Sequence, residues 1–363
     1  MKTTPPKKTK RLSQKQIASD LGVSQTLVSM VLNGRADGIA KSSFERIWNY
    51  ALINGYSPRG MKMDAVLSNS LSMGMATVGY ILRAPLRLAN KSNFFSHVHQ
   101  GLHDCLTEHG AKTVFLGSED MLTEKDFEQF AKTRIHMRGL VIMGEVEEDV
   151  VRRLADLFPK VVYTAARLPG VCHSVGANEA DASEKLVDHL TKLGHDRFAW
   201  LGGSPGTMRH NIRYHSVEAA LKRRNLKLEA MEDDKTGGAD RREGYDCAES
   251  LLQRMGDNPP TAWICFNGLM ARGAINCLLK HGVEVGQDIS LTALDYTRVR
   301  DTEWPTITSS GSAPEELGRV AGELIYSEAE TKYFQDIVVP AQFYEGESTG
   351  PCPTGKRPTE KLV

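Results

Sequence analysis

Short apolar runs alternate with longer amphipathic segments along most of this chain, beginning at Thr77. A short apolar run predicts a buried strand, and an amphipathic segment of about ten or more residues predicts a helix. This alternation predicts parallel sheets covered by helices on both faces, and therefore an α/β fold class. Three predicted helices end in a glycine suited to the position after the last turn, Gly110, Gly194 and Gly282. The predicted strands cover residues 77–82, 113–117, 139–144, 160–165, 197–203, 261–267, 289–295 and 337–344.

The alternating region is too long for one hydrophobic core to hold comfortably, so we expect two parallel-sheet subdomains with a cleft between them. The predicted core covers residues 77–346. Its first subdomain takes residues 77–173 and 312–331, and its second takes residues 174–311 and 332–346. Residues 58–76 are expected to form a hinge or linker to an N-terminal domain at residues 1–57, and residues 347–363 a polar tail.

The N-terminal segment is strongly basic although the net charge of the chain is zero. Residues 1–62 contain eleven Lys and Arg against three Asp and Glu, so the remainder is correspondingly acidic. Such a split indicates that the N-terminal segment meets a polyanion. A solvated basic tail without a partner is the alternative. Lys7, Lys8, Lys10 and Arg11 are expected to contact phosphates without sequence preference.

Three short helices are predicted within the N-terminal domain. Ser13 has the spacing of a capping box with the glutamine three residues later and opens the first helix, which Gly22 ends. Ser24 caps the second helix, and a further capping box beginning at Ser42 opens the third. Two helices joined by a short glycine-containing turn are typical of a helix-turn-helix, whose second helix enters the major groove of DNA.

The second predicted helix has a polar face opposite its buried one. With Val28, Val31 and Leu32 inward, the outward residues can bond base edges or phosphates, and one can meet a thymine methyl group. Any amphipathic surface helix also leaves polar residues outside, so this face is a hypothesis strengthened by the basic charge. The face consists of Gln25, Thr26, Ser29, Met30 and Asn33.

A long motif in this region has a known counterpart. It runs through Gln16-Ile17-Ala18, Leu21-Gly22-Val23-Ser24, Leu27-Val28-Ser29 and Val31-Leu32-Asn33-Gly34, and resumes at Asn54-Gly55-Tyr56-Ser57-Pro58. The motif closely resembles the DNA-binding head of the lactose-repressor (LacI/GalR) family. The resemblance implies that Gln25 and Thr26 read bases, and that Ser24, Ser29 and Asn33 contact phosphates.

Two positions qualify this resemblance. Met30 stands where the family usually has Arg, which removes a possible contact to guanine and implies an altered sequence preference. The family's hinge helix inserts a leucine into the minor groove, and Leu67 is the candidate for that wedge. A plain flexible linker is the alternative for residues 58–76.

The core shows a second set of matches, at residues 190–203, at Arg213, at residues 266–274 and at residues 286–295. These resemble the family's effector-binding core, which is related to periplasmic sugar-binding proteins. The resemblance implies a small, sugar-like effector beyond the carboxyl ends of the strands. Arg213 would donate to ligand oxygens, and Asn267 and Asp295 would bond hydroxyl groups.

Other cleft positions are less specific. Phe94 and Phe95 fall where an aromatic ring could stack on a sugar, although core packing explains them equally well. Ser312 stands where the family commonly has Gln, and Gly268 and Gly176 stand where Asp is common. These departures indicate an effector unlike the usual sugars, and the alternative is a pocket that binds no effector.

The sequence therefore predicts a DNA-binding transcriptional regulator that represses transcription, binds a palindromic operator as a homodimer and responds to a small-molecule effector. No membrane-length apolar run or signal peptide occurs in the sequence and the six cysteines are widely spaced, so we expect a reduced, cytoplasmic protein. The alternative is a solute-binding receptor of the periplasmic type without DNA function.

The sequence gives less support to an enzyme than to a transcriptional regulator. A Gly-x-Ser-x-Gly pattern occurs at residues 202–206, but Pro205 follows the serine and lacks the backbone N–H that the oxyanion hole of that motif requires. The spacing of His97, His99 and His103 places only the last two on one helical face, which is a poor metal motif. No Walker loop or dinucleotide fingerprint is present, so we expect no cofactor and no catalytic residue.

Overall fold

The computed structural model of this chain describes residues 13–32, 39–40, 43–44, 46–47, 50–51, 76–83, 94–133, 137–234, 238–327 and 333–353. Several residues that the sequence singles out lie outside these ranges: Lys7, Lys8, Lys10, Arg11, Asn33, Ser42 and Leu67. None of the described helices is both long and apolar enough to span a bilayer.

The N-terminal domain packs its helices around a small apolar core. Helix α1 (Gln14–Leu21) begins where the hydroxyl of Ser13 accepts from the amide of Gln16, and it ends at Gly22 in the left-handed conformation, with φ 65°. Helix α2 (Gln25–Leu32) follows. The described parts of the third helix contribute two buried side chains. The core consists of Ile17, Ala18, Val28, Val31, Leu32, Ile47 and Ala51.

Two six-stranded sheets form the rest of the protein, and each defines one lobe. The first sheet is parallel throughout, in the order β11-β5-β4-β3-β1-β2. The second has the order β12-β10-β9-β8-β6-β7 and is parallel except for β12. The strands of the first lobe are β1 (Thr77–Leu82), β2 (Lys112–Ser118), β3 (Met137–Met143), β4 (Val161–Thr164), β5 (His173–Ala177) and β11 (Asp336–Val339). Those of the second lobe are β6 (Phe198–Leu201), β7 (Leu228–Glu232), β8 (Ala262–Cys265), β9 (Ser290–Ala293), β10 (Thr308–Gly311) and β12 (Gln342–Tyr344).

Helices connect the strands, as the alternation predicts. The predicted terminal glycines Gly110, Gly194 and Gly282 all have positive φ angles, the conformation that glycine adopts without steric cost. Helices α3 (Phe94–Glu108), α4 (Glu124–Thr133), α5 (Glu148–Leu157) and α10 (Pro314–Tyr326) belong to the first lobe, and α6 (Glu179–Lys192), α7 (Met208–Lys222), α8 (Arg241–Met255) and α9 (Gly268–Lys280) to the second. The α/β fold class with two parallel-dominated sheets is therefore confirmed.

The structure corrects several predicted strands. The predicted strand at residues 337–344 is two strands in different sheets, because the chain crosses between the lobes at Pro340 and Ala341. Strands β5, β7 and β10 were missed: β7 is a sheet edge with only its central residue buried, and β10 is a run of small polar residues. Their sequences lack the apolar run that signals a buried strand.

The lobe boundaries also differ from those predicted. Strands β5 and β11 pair with each other in the first sheet, whereas the predicted boundaries gave residues 174–177 and 336–339 to the second subdomain. The predicted polar tail starts too early as well, since Ser348 is fully buried and its hydroxyl donates to the carbonyl of Leu291 in β9. The pairing of neighbouring strands, which the sequence does not reveal, decides both assignments.

Three chain crossings join the lobes, and one side chain links them. The crossings follow β5, β10 and β11. Ser312, in the second crossing, donates its hydroxyl to the carbonyl oxygen of Val339 in the third at 2.6 Å. The same hydroxyl accepts from the amide of Asn178 in the first crossing at 3.1 Å. Ser312 is 2% exposed, so both bonds are shielded from water.

Candidate functional site

Helix α2 presents the candidate DNA-reading face. Ser24, Gln25 and Thr26 are exposed, and Ser29 and Met30 are half-buried at its margin. The opposite side of the helix is fixed, because Val28 and Val31 are fully buried in the core of the domain. Short polar side chains at the N-terminal end of such a helix are the groups that contact base edges in a helix-turn-helix.

Local contacts hold this helix in place. The hydroxyl of Ser24 accepts from the amide of Leu27 at 3.1 Å, which is the predicted N-cap. The third helix is braced against the end of α1 by two bonds: the Tyr50 hydroxyl donates to Asp20 at 2.7 Å, and the Arg46 guanidinium donates to the carbonyl of Leu21 at 3.3 Å. The bond to Asp20 raises the pKa of the Tyr50 hydroxyl.

The cleft of the core contains a buried ion pair. Glu179 is the first residue of α6, and Arg213 lies in the middle of α7. Arg213 Nε is 2.9 Å from Glu179 Oε1, and the two side chains are 2% and 8% exposed. Arg213 Nη1 also donates to the carbonyl of Phe266 at 2.6 Å, whereas Glu179 Oε2 has no hydrogen-bond partner among the described residues. A buried carboxylate oxygen without a partner is unfavourable unless something donates to it.

A second arginine joins this cluster from the same helix. Arg209 Nε lies 3.8 Å from Glu179 Oε1, and its guanidinium stacks over the ring of Phe94 at 4.3 Å. Burial and the charge of Arg213 lower the pKa of Arg209 to about 10, against the opposing effect of the carboxylates of Glu179 and Asp295. Because Phe94 belongs to the first lobe, this contact spans the cleft.

Asn267 and Asp295 follow strands β8 and β9, as predicted, and both brace the backbone. Asn267 is the N-cap of α9: its Oδ1 accepts from the amide of Met270 at 2.8 Å and its Nδ2 donates to the carbonyl of Ala239. Asp295 is 9% exposed and accepts from the amides of Gly268 at 3.2 Å and Thr297 at 2.9 Å. Asn267 therefore uses both ends of its amide within the protein, while the Asp295 carboxylate has lone pairs beyond those used by these two bonds.

The remaining predicted cleft residues lie in the core of the first lobe or at the chain crossings. Phe94 and Phe95 both pack in the core of the first lobe, where they are 5% and 9% exposed, and the guanidinium of Arg209 covers the Phe94 ring. Ser312 belongs to the crossings. Glu179 and Arg209 were missed, because an acidic residue in a first helical turn and an arginine in a helix are common without any site.

Another contact closes the cleft directly. The carboxylate of Glu145, which follows β3 in the first lobe, accepts from the backbone amide of Met208 with both oxygens, at 3.0 and 3.1 Å. Met208 is the first residue of α7, so the negative charge lies at the positive end of that helix dipole. The turn before α7 contains Gly203 with φ 82°, where any side chain would strike His210 and Phe266.

Comparisons with known proteins agree with this architecture. Residues 187–349 match the model of a periplasmic binding protein-like domain. The chain is 25% identical over 316 residues to an HTH-type transcriptional repressor PurR of Haemophilus influenzae, covering 85% of this chain and 88% of the relative. A PurR repressor of Histophilus somni is 24% identical over 327 residues, covering 88% and 92%.

Solved structures share the fold over most of the chain. The lac repressor dimer bound to operator and the anti-inducer ONPF matches with a TM-score of 0.64 and 19% identity, covering 94% of this chain and 100% of that chain. The complex of the regulator CelR with cellobiose also matches with a TM-score of 0.64 and 19% identity, covering 93% and 100%.

The helix-turn-helix domain, the two-lobed core and these relatives define the class of protein: a DNA-binding transcriptional regulator with a periplasmic-binding-protein-like core. These comparisons support the resemblance to the lactose-repressor (LacI/GalR) family that the N-terminal motif carries. The named relatives are transcriptional repressors rather than enzymes.

Proposed function

We propose that this protein is a cytoplasmic repressor that binds a roughly palindromic operator as a homodimer and is controlled by a small, sugar-like effector in the cleft. The exposed face of α2 carries the DNA part of the proposal: Gln25 and Thr26 are exposed, whereas Val28 and Val31 hold the helix rigidly from behind. Two such faces related by a two-fold axis would read two half-sites, since operator symmetry mirrors protein symmetry.

Within that face we assign different tasks to the residues. Gln25 and Thr26 read base edges, while Ser24, Ser29 and, outside the described residues, Asn33 position the helix on phosphates. Met30 supplies an apolar contact in place of a guanidinium, which favours a thymine methyl over guanine. Leu67 is proposed as the minor-groove wedge.

Selection of binding sites from random duplex DNA tests this assignment. The full-length protein should enrich a two-fold symmetric motif, and substituting both Gln25 and Thr26 with Ala should relax the preference within each half-site. Ser19→Ala, exposed on α1, is the control and should enrich the wild-type motif. A motif unchanged by the double substitution would contradict the assignment of the reading face, and no enrichment at all would contradict operator binding.

The charged cleft supports a polar effector rich in hydroxyl groups. Glu179 Oε2 and the free lone pairs of Asp295 can accept from hydroxyls, and Arg209 and Arg213 can donate to ligand oxygens. CelR, of similar fold, was solved with cellobiose.

Binding in the cleft would change the relative orientation of the lobes and thereby the spacing of the two DNA-binding domains. Such coupling between sites typically amounts to about 1–3 kcal/mol, or roughly 5- to 150-fold in DNA affinity. Calorimetric titration of a panel of sugars tests the site. Glu179→Gln and Asp295→Asn should weaken any hit at least tenfold, and Glu184→Gln, on the exposed side of α6, should not. Hits insensitive to both cleft substitutions would place the ligand elsewhere.

A further inference from the structure

A cysteine, a histidine and a glutamate meet between helices α8 and α9, on the second lobe. Cys277 lies on α9, His281 is the residue that ends this helix, and Glu249 lies on the facing helix α8. Glu249 Oε2 is 3.3 Å from Cys277 Sγ and 2.7 Å from His281 Nε2. One ligand atom from each residue lies within 4.8 Å of the other two. No other group of three such residues is found in the described part of the chain.

The spacing along the chain creates this convergence. Residues four apart on a helix lie on the same face, one turn apart, so Cys277 and His281 point to the same side of α9. Helix α8 packs along that side and supplies the carboxylate. Three donors on two packed helices need only small side-chain movements to surround one ion.

The three donors suit zinc. Thiolate, imidazole and carboxylate are all ordinary Zn²⁺ ligands, and the ligand atoms of a tetrahedral site lie about 3–4 Å apart. Cys277 is buried, whereas the side chains of His281 and Glu249 are each 27% exposed. The cluster is therefore open to solvent on one side, where water can complete the tetrahedron. Softer Cys and His ligands disfavour magnesium and calcium, which prefer oxygen.

A second pair of Cys and His, in the first lobe, has no such cluster and serves as a comparison. Cys105 on α3 and His109, directly after its last residue, have the same spacing, with Sγ and Nδ1 4.0 Å apart. There, however, His109 Nδ1 is 2.8 Å from the carbonyl oxygen of Cys105, and the ring stacks against Tyr326. The nearby carboxylate of Glu108 is bound to Arg319. Among the described residues, no third His, Cys, Asp or Glu completes a group of three ligands with this pair, which makes it a matched control.

We propose that Glu249, Cys277 and His281 form a zinc-binding site that fastens the C-terminal end of α9 to α8. Asn267 and the cleft lie at the other end of α9, about 20 Å away at 1.5 Å per residue. The ion would stabilise the second lobe without touching the effector. Because it binds the folded lobe, zinc would raise the unfolding temperature.

Metal titration of the full-length, reduced and chelator-stripped protein tests the proposal. Competition with a chromogenic chelator should show one zinc ion per chain, and cobalt should give the thiolate-to-cobalt absorption band. Cys277→Ser should abolish that band and weaken zinc binding at least tenfold. His281→Gln and Glu249→Gln should each weaken binding, whereas Cys105→Ser and His109→Gln should behave as wild type.

Circular dichroism and zinc-free unfolding curves establish that the variants are folded. Absence of stoichiometric zinc binding in the wild type, or wild-type affinity in Cys277→Ser, would overturn the proposal. An equal loss of affinity in Cys105→Ser would also overturn it, because the metal would then not depend on this cluster. The DNA and effector assays are independent of these outcomes.

Discussion

Both carboxylate oxygens of Glu145 lie within 3.1 Å of the backbone nitrogen of Met208, so a side chain of the first lobe caps the first turn of a helix in the second. The capped helix, α7, also carries Arg209 and Arg213. The contact that holds the lobes together and the charged groups of the candidate effector site therefore share one element.

Glu145→Ala should loosen the closed arrangement of the lobes. A hydrogen bond to a charged group contributes about 1.5–3 kcal/mol, and here its loss favours the open state. We expect faster amide exchange at residues 208–211 and a larger radius of gyration in X-ray scattering. Glu147→Ala, an exposed glutamate in the same loop, should leave both unchanged. Equal exchange in the two variants would show that Glu145 does not hold the lobes.

Glu179→Ala should destabilise the protein strongly, because it leaves Arg213 buried without its carboxylate. Breaking a buried ion pair in this way costs about 3–5 kcal/mol, measurable by denaturant unfolding. Replacing both residues, as Glu179→Leu with Arg213→Met, should recover much of that loss.

The matched control for Glu179 is Glu184, on the same helix. Glu184 pairs with Arg223 and Arg224 at the surface, so Glu184→Ala should cost about 1 kcal/mol or less. A cost for Glu179→Ala no larger than this would mean that the ion pair in the cleft is effectively solvated.

Ser312→Ala should weaken the junction of the three crossings. The substitution removes both bonds of the hydroxyl, so the Asn178 amide and the Val339 carbonyl each lose a partner but keep their bond to each other at 3.1 Å, at a cost of about 1–3 kcal/mol. The amide of Asn178 should exchange faster with solvent. Ser310→Ala is the control: its hydroxyl is also buried but bonds only to Gln342, within the second lobe. Unchanged exchange at Asn178 in Ser312→Ala would rule out this role.

Stability should fall as the pH is lowered from 6.5 towards 4, and His99 is one cause. Burial, followed by the charge of His103, lowers the pKa of His99 from 6.5 to about 4, although Asp104 opposes the shift. The unfolded chain therefore takes up the proton first. Stability is complete above the unfolded pKa and is lost as the pH falls through the folded one, by about 3 kcal/mol for this residue.

His99→Phe keeps an aromatic ring beside Tyr80 and removes the titration. The slope of unfolding free energy against pH should become shallower between pH 6.5 and 4. Part of the slope should remain, because burial also lowers the pKa of His173, His189 and His195. His215→Gln, an exposed histidine, should keep the wild-type slope. A wild-type slope in His99→Phe would contradict the assignment.

Local rules predicted the parts of this protein that depend on neighbouring residues. Ser24 as a cap and Gly22 as a terminator follow from hydrogen bonding within one turn, and the structure confirms both. The predicted strand at residues 337–344 failed because the change of sheet at Pro340 depends on distant pairing partners. The ion pair between Glu179 and Arg213 could not be predicted either, because the two residues lie on different helices.

The predicted roles of the cleft residues show a further limit. Asn267 has the position expected of a ligand-binding residue, but capping a helix requires the same residue type at the same place. Ser312 was predicted among the ligand-binding positions of the cleft, and its hydroxyl bonds to backbone groups of two other segments. The residue type determines which hydrogen bonds a side chain can form, but the fold determines which partner lies within bonding distance.

The bonding of all three crossings to a single hydroxyl at Ser312 has a mechanical consequence. The Asn178 amide also donates to the Val339 carbonyl at 3.1 Å, so the three segments form one compact junction, which favours turning of the lobes about it over sliding. The displacement of any atom in such a rotation grows with its distance from the junction. A slight tilt started by a bound molecule is magnified toward the far ends of the lobes.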